Sequence, residues 1–241
     1  MSTTKTAVVI GAGPGLGMSI AHRFGREGYA VALISRTDTR HAGYVAALAE
    51  AGIKAEAFTA HVADRDRLLS TLDTVTERFG SVDFLYYGPG AADPSTPLTP
   101  ITEIDSDAVR EAMTWVYPAI DVVGHVLPDM VRRGSGGLLF AGGLSSVRPM
   151  PPLGAVAVVS AALRNYAVTL HAGLAGSGVY AGTLTIGGLI ERGDIYQVMK
   201  SKPELFGGLG ATTLDPDDLA ETAWALYTER DRAEAVVSVF T

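Results

Sequence analysis

The chain has 241 residues, 19 Lys and Arg against 26 Asp and Glu, a net charge of −7, and 47% apolar but only 19% charged residues. That balance excludes disorder as the main state and demands a sizeable core. The acidic balance and the lack of a dense basic run argue against nucleic acid or an anionic membrane as partner and leave a small molecule. The absence of cysteine excludes disulfides, thiolate catalysis and cysteine-based zinc sites, and no metal site is expected. Residues 1–5 carry one cation and pass straight into an apolar run and a glycine turn, without the features of a secretory signal. The longest stretch free of Asp, Glu, Lys and Arg, residues 165–190, is broken by six glycines. The expectation is a cytoplasmic protein without a membrane span.

In chain order, residues 6–10 form a continuous apolar run ended by Gly11, as in a strand buried on both faces. Apolar residues Leu16, Ile20 and Phe24 then mark a helix over 16–27 that stops before Gly28. The alternation repeats: strand 30–34, helix 41–51, strand 55–59, then a helix capped by Asp64 and closed by Gly80. Strand 82–87 follows, then a mostly helical stretch over 103–132 despite two prolines, strand 138–141, an Ala-rich helix over 153–174 and strand 180–186. Asp215-Pro216 is an N-cap with proline in the first turn, with Asp217 and Asp218 at the positive end of the dipole, and residues 235–240 make the last strand. Strands alternating with helices, joined by connections too long for hairpins, specify an α/β, Rossmann-like, doubly wound seven-stranded parallel sheet with helices on both faces, one domain over residues 1–241. The Pro/Gly-rich loop 88–100 and the poorly periodic, variable segment 191–213 fall at the carboxyl ends of strands, where such sheets bind ligands, and are the expected pocket walls.

Between the first strand and helix lies Gly11-Ala12-Gly13-Pro14-Gly15-Leu16-Gly17. Glycines let such a turn bring backbone N–H groups up to a pyrophosphate at a helix N-terminus, so the turn reads as a dinucleotide site. At the end of the second strand an acid would bind the adenosine ribose and repel a 2′-phosphate; Ser35 and Arg36 stand there instead. A charge-assisted bond from Arg36 to a 2′-phosphate is worth about 1.5–3 kcal/mol, which favours NADP(H) over NAD(H).

Together these features resemble the short-chain dehydrogenase/reductase family, over essentially the whole chain. Further matches are Ala60-His61-Val62 at the family's adenine pocket, Leu127-Pro128-Asp129-Met130 in the long helix, and Gly187-Gly188-Leu189-Ile190 before the sixth-strand loop. The resemblance implies that His61, Val62, Gly88 and Gly188 border the coenzyme and that the Ile190 backbone holds its carboxamide. It also implies a homodimer or homotetramer, for which Ala155, Ala161, Ala162 and Ala167 permit close helix packing.

The departures concern catalysis. The family uses an Asn, a Ser and a Tyr-xxx-Lys pair; the corresponding positions here are Trp115, Gly143, Val156 and Ser160, and no lysine occurs anywhere in residues 138–174. The usual Asn-Asn-Ala-Gly of the fourth strand is replaced by Tyr87-Gly88-Pro89-Gly90. Tyr87 and Ser145 are candidate replacements for the lost acid, with Tyr117 and His125 also on the long helix. Pro118 removes an N–H from the Thr114 carbonyl, which is expected to kink that helix; the resemblance implies a water held there, beside Trp115. Trp115, Leu144, Ser145, Met150 and Val156 make a pocket less polar than in the relatives. Three readings follow: an NADPH-dependent oxidoreductase of atypical mechanism that reduces an activated hydrophobic small molecule, an imine (with Glu191 as counter-charge) or a conjugated carbonyl; a catalytically silent NADP-binding sensor or scaffold subunit; or a non-redox cyclase or isomerase on the same fold.

Overall fold

The apolar run Thr6–Ile10 is strand β1 and is wholly buried. Side chains alternate across a strand, so its two faces need two cores. Val8 and Ile10 enter one, with Ala32, Ile34, Leu85, Tyr87, Leu138 and Phe140. Ala7 and Val9 enter the other, with Val31, Leu33, Phe84, Tyr86 and Leu139. A computed structural model of the chain describes residues 4–89, 98–201 and 213–240.

After β1 come α1 (Leu16–Arg26), β2 (Ala30–Ser35), α2 (His41–Glu50), β3 (Ala55–Thr59), α3 (Arg65–Phe79) and β4 (Phe84–Tyr87). The second half has α4 (Ser106–Ala112), α5 (Tyr117–Arg133), β5 (Gly136–Gly143), α6 (Gly154–Gly173), β6 (Val179–Gly187), β7 (Leu189–Ile190), α7 (Asp194–Ser201), β8 (Thr213–Leu214), α8 (Pro216–Glu229) and β9 (Glu234–Ser238). Seven strands form one sheet in the order β3-β2-β1-β4-β5-β6-β9, every pair parallel. Helices α3, α5 and α6 cover one face, and α1, α2 and α8 the other. The seven-stranded, doubly wound architecture read from the sequence is the one observed.

Three local expectations need correction. The helix expected over 103–132 is two helices, with a 3-10 turn at Met113–Trp115 between them. Pro118 lies in the first turn of α5, where a missing N–H costs nothing, so the chain breaks before it instead of kinking through it. The segment after β6, expected to be irregular, contains α7 and a two-residue parallel ladder in which Leu189 pairs with Thr213 and Ile190 with Leu214. Short pieces of this kind carry too few residues to show a period. The fourth strand begins at Phe84, not at residue 82; Asp83 just before it already bonds the Thr6 carbonyl and the Gly137 N–H through its backbone, while the Thr6 N–H turns to its carboxylate. The tip of the 88–100 loop and most of the variable segment, residues 90–97 and 202–212, lie outside the described residues.

Helix α6 and the turn before it, Pro151–Gly173, form the one described segment long and apolar enough to cross a membrane, with mean hydropathy 1.4 over its most apolar window. It lies instead along the sheet: Val159, Leu163 and Ala167 join the core, and Arg164 forms an ion pair with Glu234 of β9, Nε to carboxylate 2.7 Å. Only 22% of that window is buried, so most of an apolar helix faces outward.

Asp83 ties three elements at the amino ends of the strands. Its carboxylate accepts from the Thr6 N–H at 2.9 Å, the Ser81 hydroxyl at 2.9 Å and the Arg133 guanidinium at 2.7 Å. Arg133 donates as well to the Val82 carbonyl. Replacing Asp83 with Ala strands the buried Thr6 N–H and leaves Arg133 only Asp129 and the Val82 carbonyl, and the expected loss is about 1–3 kcal/mol of stability in urea denaturation. A loss below about 0.5 kcal/mol, the size of an ordinary surface change, would contradict this role.

Candidate functional site

The glycine turn is compressed from two sides. Gly11 sits at φ +88°, and a Cβ there would come within 2.9 Å of the Gly88 carbonyl carbon and the Pro89 nitrogen. A Cβ on Gly17 would lie 2.7 Å from the Gly11 carbonyl oxygen, and one on Gly15 3.1 Å from the Glu191 carbonyl oxygen and from Gly193. Gly13 differs: among the described residues a Cβ there would meet only the Gly11 oxygen, at 4.0 Å, so packing against them does not demand glycine. Helix α1 begins after Gly15 with no side-chain cap and no acid in its first turn, so its positive dipole end is left for an external anion. Pro14 and Leu16 complete the turn, Leu16 buried and Pro14 half-buried.

The strand ends flank this turn. Gly11 and Ala12 donate their N–H groups to the Ile34 carbonyl at 2.9 and 3.1 Å, which places the end of β2 beside it. There Ser35 donates to the Thr37 carbonyl at 2.9 Å and lies 2.7 Å from His41 Nε2. Arg36 is exposed, with no ion-pair or hydrogen-bond partner among the described residues. At the end of β3, Val62 is buried, and His61 is exposed with Nδ1 accepting from the Ala63 N–H at 3.0 Å. That bond leaves His61 an outward Nε2 that donates, the reverse of the acceptor an aspartate offers. Gly88 donates to the Ile10 carbonyl at 2.9 Å, joining the end of β4 to that of β1.

The segment after β6 lies across the turn and is pinned on both sides. Gly188 precedes β7, in which Ile190 is half-buried. Arg192, at φ +64°, pairs with Asp215 at 3.1 Å and Asp217 at 2.9 Å, at the start of α8. Asp194 accepts two bonds from Arg40, at 2.8 and 3.0 Å, which joins α7 to the start of α2. The Glu191 carboxylate accepts from Thr213. Neither the Arg40–Asp194 pair nor the Arg192 cluster was legible in the sequence, since the partners are 154 and about 23 residues apart.

Of the positions expected to handle substrate, three converge. A Cβ on Gly143, at the end of β5, would lie 3.7 Å from Ser145 Oγ and 3.8 Å from Ser160 Oγ. Val156 is half-buried in the first turn of α6 and Met150 half-buried ahead of it, while Leu144 is buried against Gly187. Trp115 packs on the core with its carbonyl accepting from the Tyr87 hydroxyl at 2.9 Å. Burial pushes the Tyr87 phenol well above its usual range. Thr114, whose carbonyl Pro118 cannot serve, lines a cavity of about 180 Å³ with Val62, Ala63, Arg65, Tyr117 and Asp121. Tyr117 is half exposed, and His125 lies on the outer side of α5, 2.8 Å from Asp73 of α3. Among the described residues no cluster of three His, Asp or Glu is arranged to hold a metal.

Sheet order, glycine turn and strand-end loops define a Rossmann-like α/β protein, with the candidate site at the carboxyl edge of the sheet. The sequence model for short chain dehydrogenases matches residues 5–190, and the chain belongs to that family. It is 32% identical over 165 residues to Oxidoreductase asL5 of Sarocladium schorii, an alignment covering 68% of this chain and 64% of that protein. The matched stretch spans less than two thirds of the length of that and the next two curated relatives. Among solved structures, a putative NAD(P)-dependent gluconate 5-dehydrogenase from Beutenbergia cavernae with bound NADP superposes with TM-score 0.82 at 24% identity, covering 98% of this chain and 94% of that one. The L-sorbose reductase of Gluconobacter frateurii, complexed with NADPH and L-sorbose, superposes with TM-score 0.83 at 20% identity, covering 99% and 97%. At these identities the likeness is one of fold.

The glycine geometry separates packing from binding. Gly17→Ala forces a Cβ onto the Gly11 carbonyl and is expected to lower the melting temperature by several degrees, as a shift of about 1–3 kcal/mol does in a chain of this size. Gly13→Ala is expected to leave it unchanged. Equal loss in both variants, read by thermal denaturation, would contradict the distinction.

Proposed function

We propose that the chain is an NADP(H)-dependent oxidoreductase of atypical mechanism that reduces an activated, hydrophobic small molecule, an imine or a conjugated carbonyl. The observation that carries the coenzyme reading is the glycine turn: a Cβ on Gly13 would meet only the Gly11 oxygen, at 4.0 Å, among the described residues, α1 begins uncapped, and Arg36 has no described partner. The NADP and NADPH bound by the two structural neighbours support the same reading. The backbone of Gly13, Pro14, Gly15, Leu16 and Gly17 would cradle the pyrophosphate, with Arg36 at the 2′-phosphate, His61 and Val62 at the adenine, and Gly88, Gly188 and Ile190 along the nicotinamide half. Bound there, NADPH supplies a hydride.

What the chain adds is orientation without a strong acid. Around Gly143 it offers two hydroxyls, Ser145 and Ser160, which align a substrate by hydrogen bonding; neither protonates it readily at neutral pH. Tyr87, buried and committed to the Trp115 carbonyl, must break that bond before it donates elsewhere. Loss of a positioned general acid costs about 10²–10⁴-fold in rate, which disfavours ordinary ketones. A substrate that arrives protonated, such as an iminium, escapes that cost. Trp115, Leu144, Met150 and Val156 suit its apolar body. The Tyr87–Trp115 bond equally favours a second reading, a coenzyme-binding sensor or scaffold without turnover. NADPH oxidation assayed with cyclic imines, conjugated carbonyls and simple ketones separates the two: the first expects turnover of imines or conjugated carbonyls well above ketones, and binding with no oxidation of any of them would overturn it.

The outward apolar surface of α6, with Val158 and, on α5, Ile120 and Tyr117 exposed, supports a homodimer or homotetramer. Val158→Glu is expected to shift the sedimentation coefficient toward that of the monomer. An unchanged wild-type monomer would contradict the assembly.

A further inference from the structure

Nothing in the local fold asks for glycine at residue 143. Its backbone is extended, φ −95° and ψ 155°, which any residue adopts, and among the described residues a Cβ there would meet only the Ser145 and Ser160 hydroxyl oxygens, at 3.7 and 3.8 Å. The missing side chain leaves a space at the carboxyl end of β5 that both hydroxyls face. Neither has a hydrogen-bond partner among the described residues, and neither is sealed from solvent as the adjacent Ser146 hydroxyl is. Both are held in place. Ser145 lies in the 3-10 turn Leu144–Ser146, closed by the Val147 and Arg148 N–H groups on the Leu144 carbonyl at 3.0 and 2.9 Å, and Ser160 stands on α6 between the core residues Val159 and Leu163. The residues brought together around this space carry no charge. Among the described residues Asp83 is the one buried carboxylate, at the opposite, amino edge of the sheet. Glu191 accepts from Thr213 at 2.5 Å, and Glu234 from Arg164 and Thr185.

We propose that Ser145 and Ser160 are an oxyanion-binding pair over Gly143, and that the substrate is a conjugated carbonyl, not an imine, reduced at its carbon–carbon double bond; this rests on the reading of the chain as an NADP(H)-dependent oxidoreductase. An iminium in an apolar pocket needs a counter-charge, and two neutral hydroxyls supply none. An anion needs donors, and they supply two. In conjugate reduction the β-carbon takes the hydride that NADPH supplies, the double-bond electron pair moves to join the α-carbon to the carbonyl carbon, and the carbonyl pair goes to oxygen, giving an enolate. Water then returns one proton to the α-carbon, so that NADPH, one proton and the unsaturated carbonyl give NADP⁺ and the saturated carbonyl. No proton is needed as the hydride arrives. An enolate spreads its charge and is far less basic than the alkoxide a simple ketone yields, so hydrogen bonds hold it and the Tyr87 phenol stays on the Trp115 carbonyl. Donors fixed in advance act on this charge as it develops in the transition state.

Two measurements test this on the wild-type chain and on Ser145→Ala, Ser160→Ala and Gly143→Ala, the last filling the space with a methyl at ordinary contact distance; each variant is checked for an unchanged melting temperature. The first needs no turnover: para-nitrophenol, an oxyanion once ionised, is titrated with pH in the presence of the protein, its ionisation read by absorbance. On the wild type the bound phenol is expected to ionise at lower pH than in water, and the shift to shrink in all three variants. The second is NADPH oxidation with benzylideneacetone, its saturated analogue benzylacetone and a cyclic imine, phenylpyrroline, the coenzyme carrying deuterium in the transferred position. The expected product is benzylacetone labelled at the β-carbon, with little turnover of the other two, and Ser145→Ala and Ser160→Ala are expected to lower kcat by about 10²-fold with KM changed by less than about threefold. Preferential reduction of the imine, label at the carbonyl carbon, or no phenol shift on the wild type would overturn the oxyanion pair and leave the oxidoreductase reading standing. Failure of all three compounds to oxidise NADPH would overturn that reading itself.

Discussion

The carboxyl ends of β1 and β4 approach so closely at Gly11 that no side chain fits between them, and the geometry of the site follows from that contact. It sets where the chain turns, and the turn sets where α1 begins. Once Gly11 and Ala12 have bonded the Ile34 carbonyl, the end of β2 is fixed beside the turn, and with it Ser35, Arg36 and His41. On the far side Gly15 lets the Glu191–Gly193 backbone lie against the same bend. One close approach of backbone to backbone thus orders both ends of the site.

The two halves of that site are built differently. The half near β1 and β2 is rich in N–H groups and cations, and its tightest glycines are those that packing demands. The half near β5 and α6 is apolar, with hydroxyls at Ser145 and Ser160 and a phenol withdrawn onto the Trp115 carbonyl. An anion suits the first; an apolar body with little need of an acid suits the second. Arg192 and Asp194 hold the connecting segment down through ion pairs to α8 and α2, all of them at least partly exposed. Pairs of that kind contribute little stability each.

Much of the fold was legible because β1, β4, β5 and β6 are apolar runs that end at or beside glycine. Asp64 caps α3 by accepting from the Arg67 N–H, Gly80 closes it at φ +92°, and Asp215 caps α8. The break before Pro118 was misjudged because proline in a first turn and proline in a helix interior look alike in sequence, and only the chain direction before residue 117 separates them. Helix α7 escaped because eight residues show little period, and the β7–β8 ladder because its partners are some two dozen positions apart. In the site, the glycines and Arg36 are local signals. The Ser35–His41 contact was not legible because it exists only once the turn between them has folded.

The central claim is that the glycine turn and the β2 end together hold a phosphorylated dinucleotide. Isothermal calorimetry of the wild-type chain with NADPH and with NADH tests it most directly. The expected result is saturable heat at one site per chain, with NADPH bound at least about 10-fold more tightly, the contribution of one charge-assisted phosphate contact. No heat with either nucleotide, or tighter binding of NADH, would contradict it.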